Sequence, residues 1–317
     1  MPLKHFLTMK KVSVIIPCYN EENNIDTLYS ALCRLMESEP NYAWELLFIN
    51  DGSSDLTLSR IKALRSSDER VCYIDLSRNF GKECAMLAGF DHVSGDCCAI
   101  IDADLQDPPM IISDMLKLWN DGYQDIYAMR KSRGKESFVR KRLTKTYYHL
   151  LQKMSDTDVL INVGDFRLLD RKCIDALRQL RETQRYTKGL FCWIGFKKQF
   201  VTFDRDDRSA GHSSFNLHKL FNLAIEGITS YSTAPLRVAS VIGLVISMLA
   251  FIYMCYVLIK TLIFGDPVQG YPTLIITILF LGGLQLLALG IIGEYLSRIF
   301  HETKHRPVYL INEKDGI

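Results

Sequence analysis

The chain has 317 residues, of which 48% are hydrophobic, and its formal net charge is +2. This length and composition allow one large domain or two modest ones with a substantial core, and they exclude a largely disordered chain. The small net charge argues against a chain that is globally a nucleic-acid binder.

Cysteine usage and the N-terminal residues bear on the compartment. The nine cysteines contain no C-x-x-C pair, and several lie inside apolar runs, so we expect reduced thiols facing the cytosol. Residues 1–10, interpreted as an N-terminal extension, contain no long apolar stretch before a small-residue cleavage site, so no secretory signal is predicted.

Strand-like and helix-like stretches alternate from residue 10 to about residue 128. Apolar residues at helical spacing from Ile25 to Met36 predict a helix between the first two strands. Such alternation is typical of a mostly parallel sheet with helices on both faces, which binds ligands at the carboxyl ends of its strands. The predicted strands, each ending in a polar group, are VSVIIP (12–17), ELLFIN (45–50), VCYIDL (71–76) and CCAIID (97–102).

The polar segments that follow these strands are expected to meet along one edge of the sheet. They are PCYNEE (17–22), NDGSSD (50–55), SRNFGKE (77–83) and DADLQD (102–107). Asp51, Tyr19 and Glu21 offer a carboxylate, a ring and an acceptor that suit a nucleotide pocket, although NDGSSD is equally typical of a turn followed by a helix cap. Neither G-x-G-x-x-G after the first strand nor a P-loop motif occurs, so a dinucleotide fold and a P-loop ATPase are not supported.

Three acids, Asp102, Asp104 and Asp107, follow the fourth predicted strand within six positions. Carboxylates two residues apart at a strand end can converge on one hard cation, Mg²⁺ or Mn²⁺, that leaves positions open for phosphate oxygens. A calcium loop is excluded, because Asp107 stands where that loop needs Gly and Ser113 stands where it needs Glu.

The stretch from Arg130 to Lys145 contains eight basic residues and one acid. Such a patch attracts an anionic membrane or a phosphate headgroup, with each cation near the surface contributing about 1 kcal/mol. Apolar residues from Val139 to Met154 recur at helical spacing, which fits a helix lying on a membrane and, equally, a helix packed on the domain. The predicted contacts with the acceptor phosphate or membrane are Arg130, Arg133, Arg140 and Arg142.

Two uncharged apolar runs, 238–259 and 273–293, are each long enough to cross about 30 Å of hydrocarbon as a helix. They predict transmembrane helices at 236–264 and 273–297, joined by an external loop at 265–272 and preceded by an amphipathic juxtamembrane helix at 213–235. Arginine and lysine are more frequent before the first span and in the tail than in the connector, which predicts that residues 11–212 and the tail 298–317 are cytoplasmic. Lys260 is a contrary signal, because it lies at the end of the first span that is predicted to be external.

Several segments together resemble family 2 glycosyltransferases that act on polyprenyl phosphates, and most closely the bacterial bactoprenol glucosyltransferases. Dolichol-phosphate mannose synthase is similar at a greater distance, and the resemblance runs from Lys11 to about Phe300. The segments are VSVIIPCYNEENNI, LLFINDGSSDLT, LSRNFGKECAMLAGFDHVSGD, IDADLQDPP, VGDFRLLDRK and GITSYSTAPLR, followed by the two spans.

This resemblance implies a GT-A catalytic domain at 11–212, with an α/β Rossmann-like sheet, that transfers a hexose with inversion. The implied reaction takes glucose from UDP-glucose to a membrane polyprenyl (undecaprenyl) phosphate, giving a lipid-linked sugar donor for cell-surface glycan modification. Mg²⁺ or Mn²⁺ is the implied cofactor. The implied setting is the bacterial inner membrane, with several spans, a cytoplasmic catalytic domain and a homotetramer.

The resemblance also implies roles for individual residues. Asp165 is implied as the catalytic base. The alternative role for Asp165 is to orient a neighbouring arginine through an ion pair. Asp104 is implied as the second catalytic residue. Relatives often carry Ser-Lys where this chain has Ser213 and Ser214, which leaves open the cation that neutralises the leaving group. The implied nucleotide-sugar contacts are Pro17, Tyr19, Glu21, Asp51, Lys82, Asp102, Ala103, Asp104 and Arg208, and the implied metal ligands are Asp102, Asp104 and Gln106.

Three alternatives stay open at this point. The same reaction would use another sugar, such as GlcNAc, mannose or an aminosugar, if the pocket selects it. A processive polysaccharide synthase shares the nucleotide-sugar edge, but two spans are few for a conduit and ETQRYTKGLFCW lacks the Q-x-x-R-W spacing. A catalytically silent membrane scaffold would not need the acid cluster.

Overall fold

The computed structural model describes residues 9–130, residues 163–203 except 184, isolated positions between 243 and 263, and residues 270–317. The chain divides into two units. The first contains the described residues up to 203 and then Arg306–Ile317, and the second contains the described residues of Leu217–His305. The predicted residues Arg133, Arg140, Arg142 and Arg208 and the predicted helix 213–235 lie outside the described residues.

The first unit is an α/β sheet with helices between its strands. Its elements in chain order are β1 (Lys11–Cys18), α1 (Ile25–Ser38), β2 (Ala43–Asn50), α2 (Thr57–Ser67), β3 (Val71–Leu76), α3 (Lys82–His92), β4 (Cys97–Ile100), α4 (Ile111–Asn120), β5 (Asp125–Arg130), β6 (Val163–Asp170), α5 (Arg171–Gln179), α6 (Thr187–Trp193), β7 (Lys198–Phe203) and β8 (Ile311–Asp315).

The strand order is β7-β5-β6-β4-β1-β2-β3-β8. β1 pairs in parallel with β2 and β4, and β2 pairs in parallel with β3. β6 is antiparallel to β4 and β5, and β8 is antiparallel to β3. The predicted mostly parallel α/β sheet is confirmed. β4 ends at Ile100, earlier than predicted, so Asp102 lies in the loop beyond the strand.

Burial on both faces explains why the central strands are nearly continuous apolar runs. In β1, Val14 and Ile16 pack into one core cluster, whereas Ile15, between them, packs into the other. α1 covers the first cluster with a stripe of buried residues at helical spacing: Ile25, Leu28, Leu32, Leu35 and Met36. Each such side chain contributes about 1.5–3 kcal/mol on full burial, so the sheet gives a firm base for its loops.

The second unit contains the long helix α7 (Tyr271–Thr303), which covers the predicted second span. Pro272 lies in its first turn, where the missing N–H leaves no helical hydrogen bond unmade. In the part of the chain that the structure describes, one stretch, Phe280–Thr303, is long and apolar enough to cross a membrane. The described positions between 243 and 263 are helical, and the crossing of the first span stays a prediction.

Candidate active site

A cleft of about 290 Å³ opens at the carboxyl ends of β1 and β2 and beside the loop after β4. The structure thus brings together eight of the nine predicted nucleotide-sugar residues, and the ninth, Arg208, lies outside the described residues. The lining residues are Pro17, Cys18, Tyr19, Glu21, Asp51, Asn79, Gly81, Lys82, Ala85, Asp102, Ala103 and Asp104.

Asp51 lies in the wall of the cleft and is only 3% exposed. Its carboxylate accepts hydrogen bonds from the backbone N–H groups of Phe80, at 2.7 Å, and Gly81, at 2.9 Å. Burial raises the pKa of Asp51, although these two amides act in the opposite direction. The β3–α3 loop, residues 77–81, therefore fixes the orientation of the Asp51 carboxylate.

Gly52 lets the chain turn directly beneath that loop. Its φ is +66°, a left-handed conformation, and a Cβ atom there would overlap the backbone of Arg78 and Asn79. Only glycine meets both conditions without strain. Gly52 therefore gives NDGSSD a packing role, because it lets this segment lie against the β3–α3 loop that holds Asp51.

The two polar segments after β1 and β2 also hold each other. The backbone N–H of Asn20 donates to Ser53 Oγ at 3.0 Å, and Ser54 N–H donates to Asn20 Oδ1 at 2.9 Å. Asp55 Oδ1 accepts from Thr57 N–H at 3.0 Å, at the start of α2. NDGSSD therefore serves both interpretations, because Asp51 faces the cleft while Asp55 supports the helix start. Tyr19 is 49% exposed, which leaves its ring free to stack on a flat ligand.

Asp102 and Asp104 line the cleft, whereas Asp107 is buried and is not a lining residue. Asp104 Oδ1 accepts from the Gln106 N–H at 3.1 Å, and the Gln106 side-chain oxygen is buried without a hydrogen-bond partner. Among the described residues, no three His, Cys, Asp or Glu side chains form a metal-binding group. Two carboxylates and an amide oxygen suit Mg²⁺ or Mn²⁺, whose remaining positions would have to come from phosphate oxygens or water.

The acids also act on Glu21, which lines the same cleft. Burial raises the pKa of the Glu21 carboxyl, and the charges of Asp104 and Asp102 raise it further, while a hydrogen bond from Asn24 lowers it. Three carboxylates, those of Glu21, Asp102 and Asp104, therefore share this cleft, and a bound cation would relieve the repulsion between them.

Lys82, the first residue of α3, joins the acid cluster to Asp165. Its Nζ lies 2.5 Å from Asp102 Oδ1 and 2.7 Å from Asp165 Oδ2. Burial alone would lower the pKa of Lys82, but the charges of Asp165 and Asp102 outweigh it and raise that pKa. Asp165 is affected in the reverse sense: burial opposes its ionisation, and Lys82 and Lys188 lower its pKa below the usual value.

Among the described residues, the salt bridge of Asp165 is with Lys82, whereas the sequence analysis had suggested a neighbouring arginine. Arg167 is directed elsewhere, since its Nη1 lies 3.1 Å from Asp125 Oδ1 in a pair that is almost fully buried. Its guanidinium also lies 3.6 Å from the centre of the Phe191 ring. The Asp125 pair joins β5 to β6, so it stabilises the sheet.

Some residues of this region were not predicted. Asn79, Gly81 and Cys18 line the cleft, and the charge of Lys188, in α6, acts on Asp165. The Thr187 N–H, beside Lys188, donates to Glu83 Oε2 at 2.9 Å, which ties α6 to the start of α3. Asn79 and Gly81 lie within SRNFGKE and Cys18 lies within PCYNEE, so the segments were predicted although these residues were not singled out, whereas TKGLF carries no recognisable motif. Of the four residues predicted to contact the acceptor phosphate or membrane, Arg130 belongs to the described residues, where it is the last residue of β5.

Two family models match the chain. The model described as glycosyl transferase family 2 matches residues 13–178, which run from within β1 into α5 and include the cleft residues. The model described as GtrB C-terminal hairpin matches residues 234–299, which include both predicted spans.

Curated relatives match nearly the whole chain. A bactoprenol glucosyl transferase of Shigella phage SfV is 45% identical over 305 residues, covering 96% of this chain and 99% of the relative. A putative glycosyltransferase of Bacillus subtilis is 45% identical over 302 residues, covering 95% and 91%. A solved glucosyl-3-phosphoglycerate synthase from Mycobacterium tuberculosis matches with a TM-score of 0.46 and 18% identity over 69% of this chain and 78% of that one. By the family model and the near full-length relatives, this chain belongs to glycosyl transferase family 2.

Proposed function

We propose that this protein transfers glucose from UDP-glucose to a membrane polyprenyl (undecaprenyl) phosphate, with inversion, to make a lipid-linked sugar donor for cell-surface glycan modification. The observation that carries the proposal is one cleft in which Asp51, the acids Asp102 and Asp104, and Lys82 meet. The names of near full-length relatives, bactoprenol glucosyl transferases of Shigella phages, support the substrates.

The nucleoside end of the donor would bind beside Asp51 and Tyr19. Asp51 is held by the Phe80 and Gly81 amides, so its carboxylate can accept a hydrogen bond from a base without reorienting. The exposed ring of Tyr19 offers a stacking surface on the same wall. Pro17 and Ala103, which also line the cleft, complete the proposed nucleoside pocket.

The donor diphosphate would lie at the acid corner. Asp102, Asp104 and Gln106 are the proposed holders of Mg²⁺ or Mn²⁺, which supplies positive charge to the departing diphosphate when bound. The ammonium of Lys82 touches Asp102 and adds a second, fixed positive charge beside the same corner. We propose that Lys82 stabilises the charge that develops on the leaving group.

Asp165 is proposed as a positioning residue that holds Lys82. Its lowered pKa keeps the carboxylate ionised at neutral pH and makes it a weak base. A phosphate monoester acceptor has its second pKa near about 6 and is already largely a dianion, so it needs little help to lose a proton. An ion pair with Lys82 also reduces the repulsion that an isolated carboxylate would exert on this acceptor.

The proposed setting is the bacterial inner membrane, with the sheet and its cleft on the cytoplasmic side. Phe280–Thr303 in α7 and the predicted first span, 236–264, are proposed to cross the membrane as a hairpin. The basic segment with Arg130, Arg133, Arg140 and Arg142 is proposed to attract the phosphate of the lipid acceptor.

The direct test is to identify the lipid product. Membranes that contain the full chain would be supplied with undecaprenyl phosphate and, separately, with UDP-glucose, UDP-GlcNAc and GDP-mannose, and the lipids would be analysed by mass spectrometry. We expect one hexose on the lipid phosphate with UDP-glucose and no extended glycan.

Matched variants make this test specific. Asp102→Asn should abolish product, whereas Asp114→Asn should not, because Asp114 is exposed on α4, outside the cleft lining, and pairs with Lys117 on the same helix. Product with a different donor would correct the sugar, a polymer would favour a processive synthase, and no product with any donor would favour a silent scaffold.

A further inference from the structure

The last residues of the chain contact the elements on which the cleft is built. We call residues 309–316 the C-terminal strap. It contains β8, which lies at the edge of the sheet and pairs antiparallel with β3. β3 leads directly into the β3–α3 loop, whose amides hold Asp51.

The first set of strap contacts is at the start of that loop. The backbone carbonyl of Leu310 accepts a hydrogen bond from the Ser77 N–H at 2.9 Å. Asn312 Nδ2 donates to Asp75 Oδ2 at 2.8 Å, two residues before the loop begins. The strap therefore fixes the backbone at the point where it leaves β3 for the cleft.

A buried hydrogen-bond chain leads from the same contact toward Asp51. Asp75 uses its other oxygen to accept from Asn50 Nδ2 at 2.7 Å, and both side chains are at least 95% buried. Asn50 is the residue before Asp51. Asn312 is thus linked to the Asp51 segment through two side-chain hydrogen bonds, in addition to the route through the loop.

The second set of contacts is at the far end of α3. The Tyr309 hydroxyl donates to Asp91 Oδ2 at 2.6 Å, and Arg181 binds both Asp91 oxygens at 2.7 and 2.8 Å. Burial and then the Asp91 hydrogen bond raise the pKa of Tyr309, so the hydroxyl stays protonated and donates at neutral pH. α3 begins with Lys82, so the segment made of the loop and α3 contacts the strap at its start, through Ser77, and near its end, through Asp91.

We propose that the C-terminal strap is a positioning element for the donor cleft. It holds the β3–α3 loop and α3 so that Asp51 and Lys82 keep the arrangement that binds a nucleotide sugar, and Tyr309 and Asn312 are its positioning residues. This inference rests on the proposed function, since it assigns the cleft to the donor.

Other strap contacts supply a control. Asp315 pairs with Arg65 at 3.3 Å, on the same strand as Asn312, and its side chain is more than half exposed. The side-chain hydrogen bonds and ion pairs of Arg65 and Asp315 in the described structure are with each other, Glu69 and Val71, and not with Asp75, Asp91 or the loop, so Asp315→Asn changes the strap without changing its hold on the cleft.

The experiment compares the native full chain, the double variant Tyr309→Phe/Asn312→Ala, and Asp315→Asn, each purified with the same lipid. UDP affinity is measured by calorimetry in the presence of Mg²⁺, and hydrogen exchange is followed in peptides that contain residues 77–81. In the double variant we expect the Kd for UDP to rise at least threefold and exchange in the loop to become faster. Turnover at saturating donor should stay within twofold of native, because Asp102 and Asp165 still hold the Lys82 ammonium, so KM should change and kcat should not. Asp315→Asn should match the native chain.

Unchanged UDP affinity and unchanged loop exchange in the double variant would overturn the proposal. A fall in kcat with no change in KM or in loop exchange would also overturn it. If the native chain itself fails to bind UDP, the assignment of the donor cleft is wrong, and the exchange comparison still decides whether the strap holds the loop.

Discussion

The substitution Asp104→Asn tests the proposed cation site, because it replaces one carboxylate oxygen by an amide nitrogen. Asp104→Asn keeps the shape of the side chain but removes a charge from the corner shared with Asp102, and transfer should fall a hundredfold or more, about 3 kcal/mol of lost transition-state stabilisation. The measurement is the initial rate of lipid-linked sugar formation, with Asp114→Asn as the exposed control. Undiminished turnover in Asp104→Asn, or full native activity in excess chelator, would rule out the cation.

Asp165 can be tested through pH, because a base and a positioning residue differ there. Asp165→Asn removes one of the two carboxylates that pair with Lys82, so most transfer should be lost while UDP binding survives. If Asp165 positions Lys82, the residual activity should keep the native pH profile. A base would instead give a native rate that rises through one acidic pKa, and that rise would vanish in the variant. Near-native turnover would exclude both roles.

At the scale of single residues, the sequence predicted those site residues whose position in the fold follows from the local sequence pattern. Asp51 and Asp102 were found because each follows a buried apolar run, and the ends of parallel strands share an edge. The partner of Asp165 was not predictable in this way. Lys82 and Asp165 are distant in sequence and meet only because β6 lies beside β4, and Arg167 is occupied by Asp125 across β5 and β6.

At the scale of elements, Glu45 joins β1, β2 and the segment before β4. It is 4% exposed and accepts from Lys11 Nζ at 2.9 Å, from the Ser94 N–H at 3.0 Å and from the Ser13 hydroxyl. Burial opposes ionisation of Glu45, but the hydrogen bonds from Ser13, Ser94 and Lys11 outweigh it and lower the pKa of the carboxyl. The charged form is therefore the one that stabilises the fold.

Glu45→Gln should lower the free energy of unfolding at pH 7 by about 1.5–3 kcal/mol, the range for hydrogen bonds to a buried charged group. Because the folded pKa is lowered, this stabilisation is complete above the unfolded pKa near 4.5 and is lost as the pH falls through the folded value. The gap in melting temperature between native and variant should thus narrow below about pH 4.5. Exposed Glu37→Gln on α1 is the control, and a gap that stays constant from pH 7 to about 3.5 would refute the linkage.

Elements were predictable where the period of the sequence was clear, and less so where pairing is long-range. β1 to β3 follow apolar runs and were found within about two residues. β8 was not found, because INEKD is short and charged, as suits a sheet edge that must not pair with other chains. Its partner β3 lies more than 200 residues earlier, so no local pattern reports the pairing.

At the scale of the whole molecule, β8 constrains the membrane topology. β3 and β8 belong to one sheet and so lie on the same side of any membrane. The chain between them must then cross the bilayer an even number of times. α7 offers one crossing in the part of the chain that the structure describes, so a crossing α7 requires another, and the apolar run 238–259 is the segment with the length for it.

This topology predicts which reagents reach which residues in intact cells. In a chain whose native cysteines are replaced, Gln269→Cys, in the connector between the spans, should react with an impermeant maleimide applied from outside. Lys314→Cys, on the exposed side of β8, should react only with a permeant reagent or after the cells are opened. Labelling of both from outside would show that α7 does not separate the connector from β8 across the membrane. The reverse pattern would invert the orientation that the flanking arginines and lysines predict. Release of the native chain by carbonate would show that neither span crosses the membrane, so retention after carbonate is the control that must accompany the labelling.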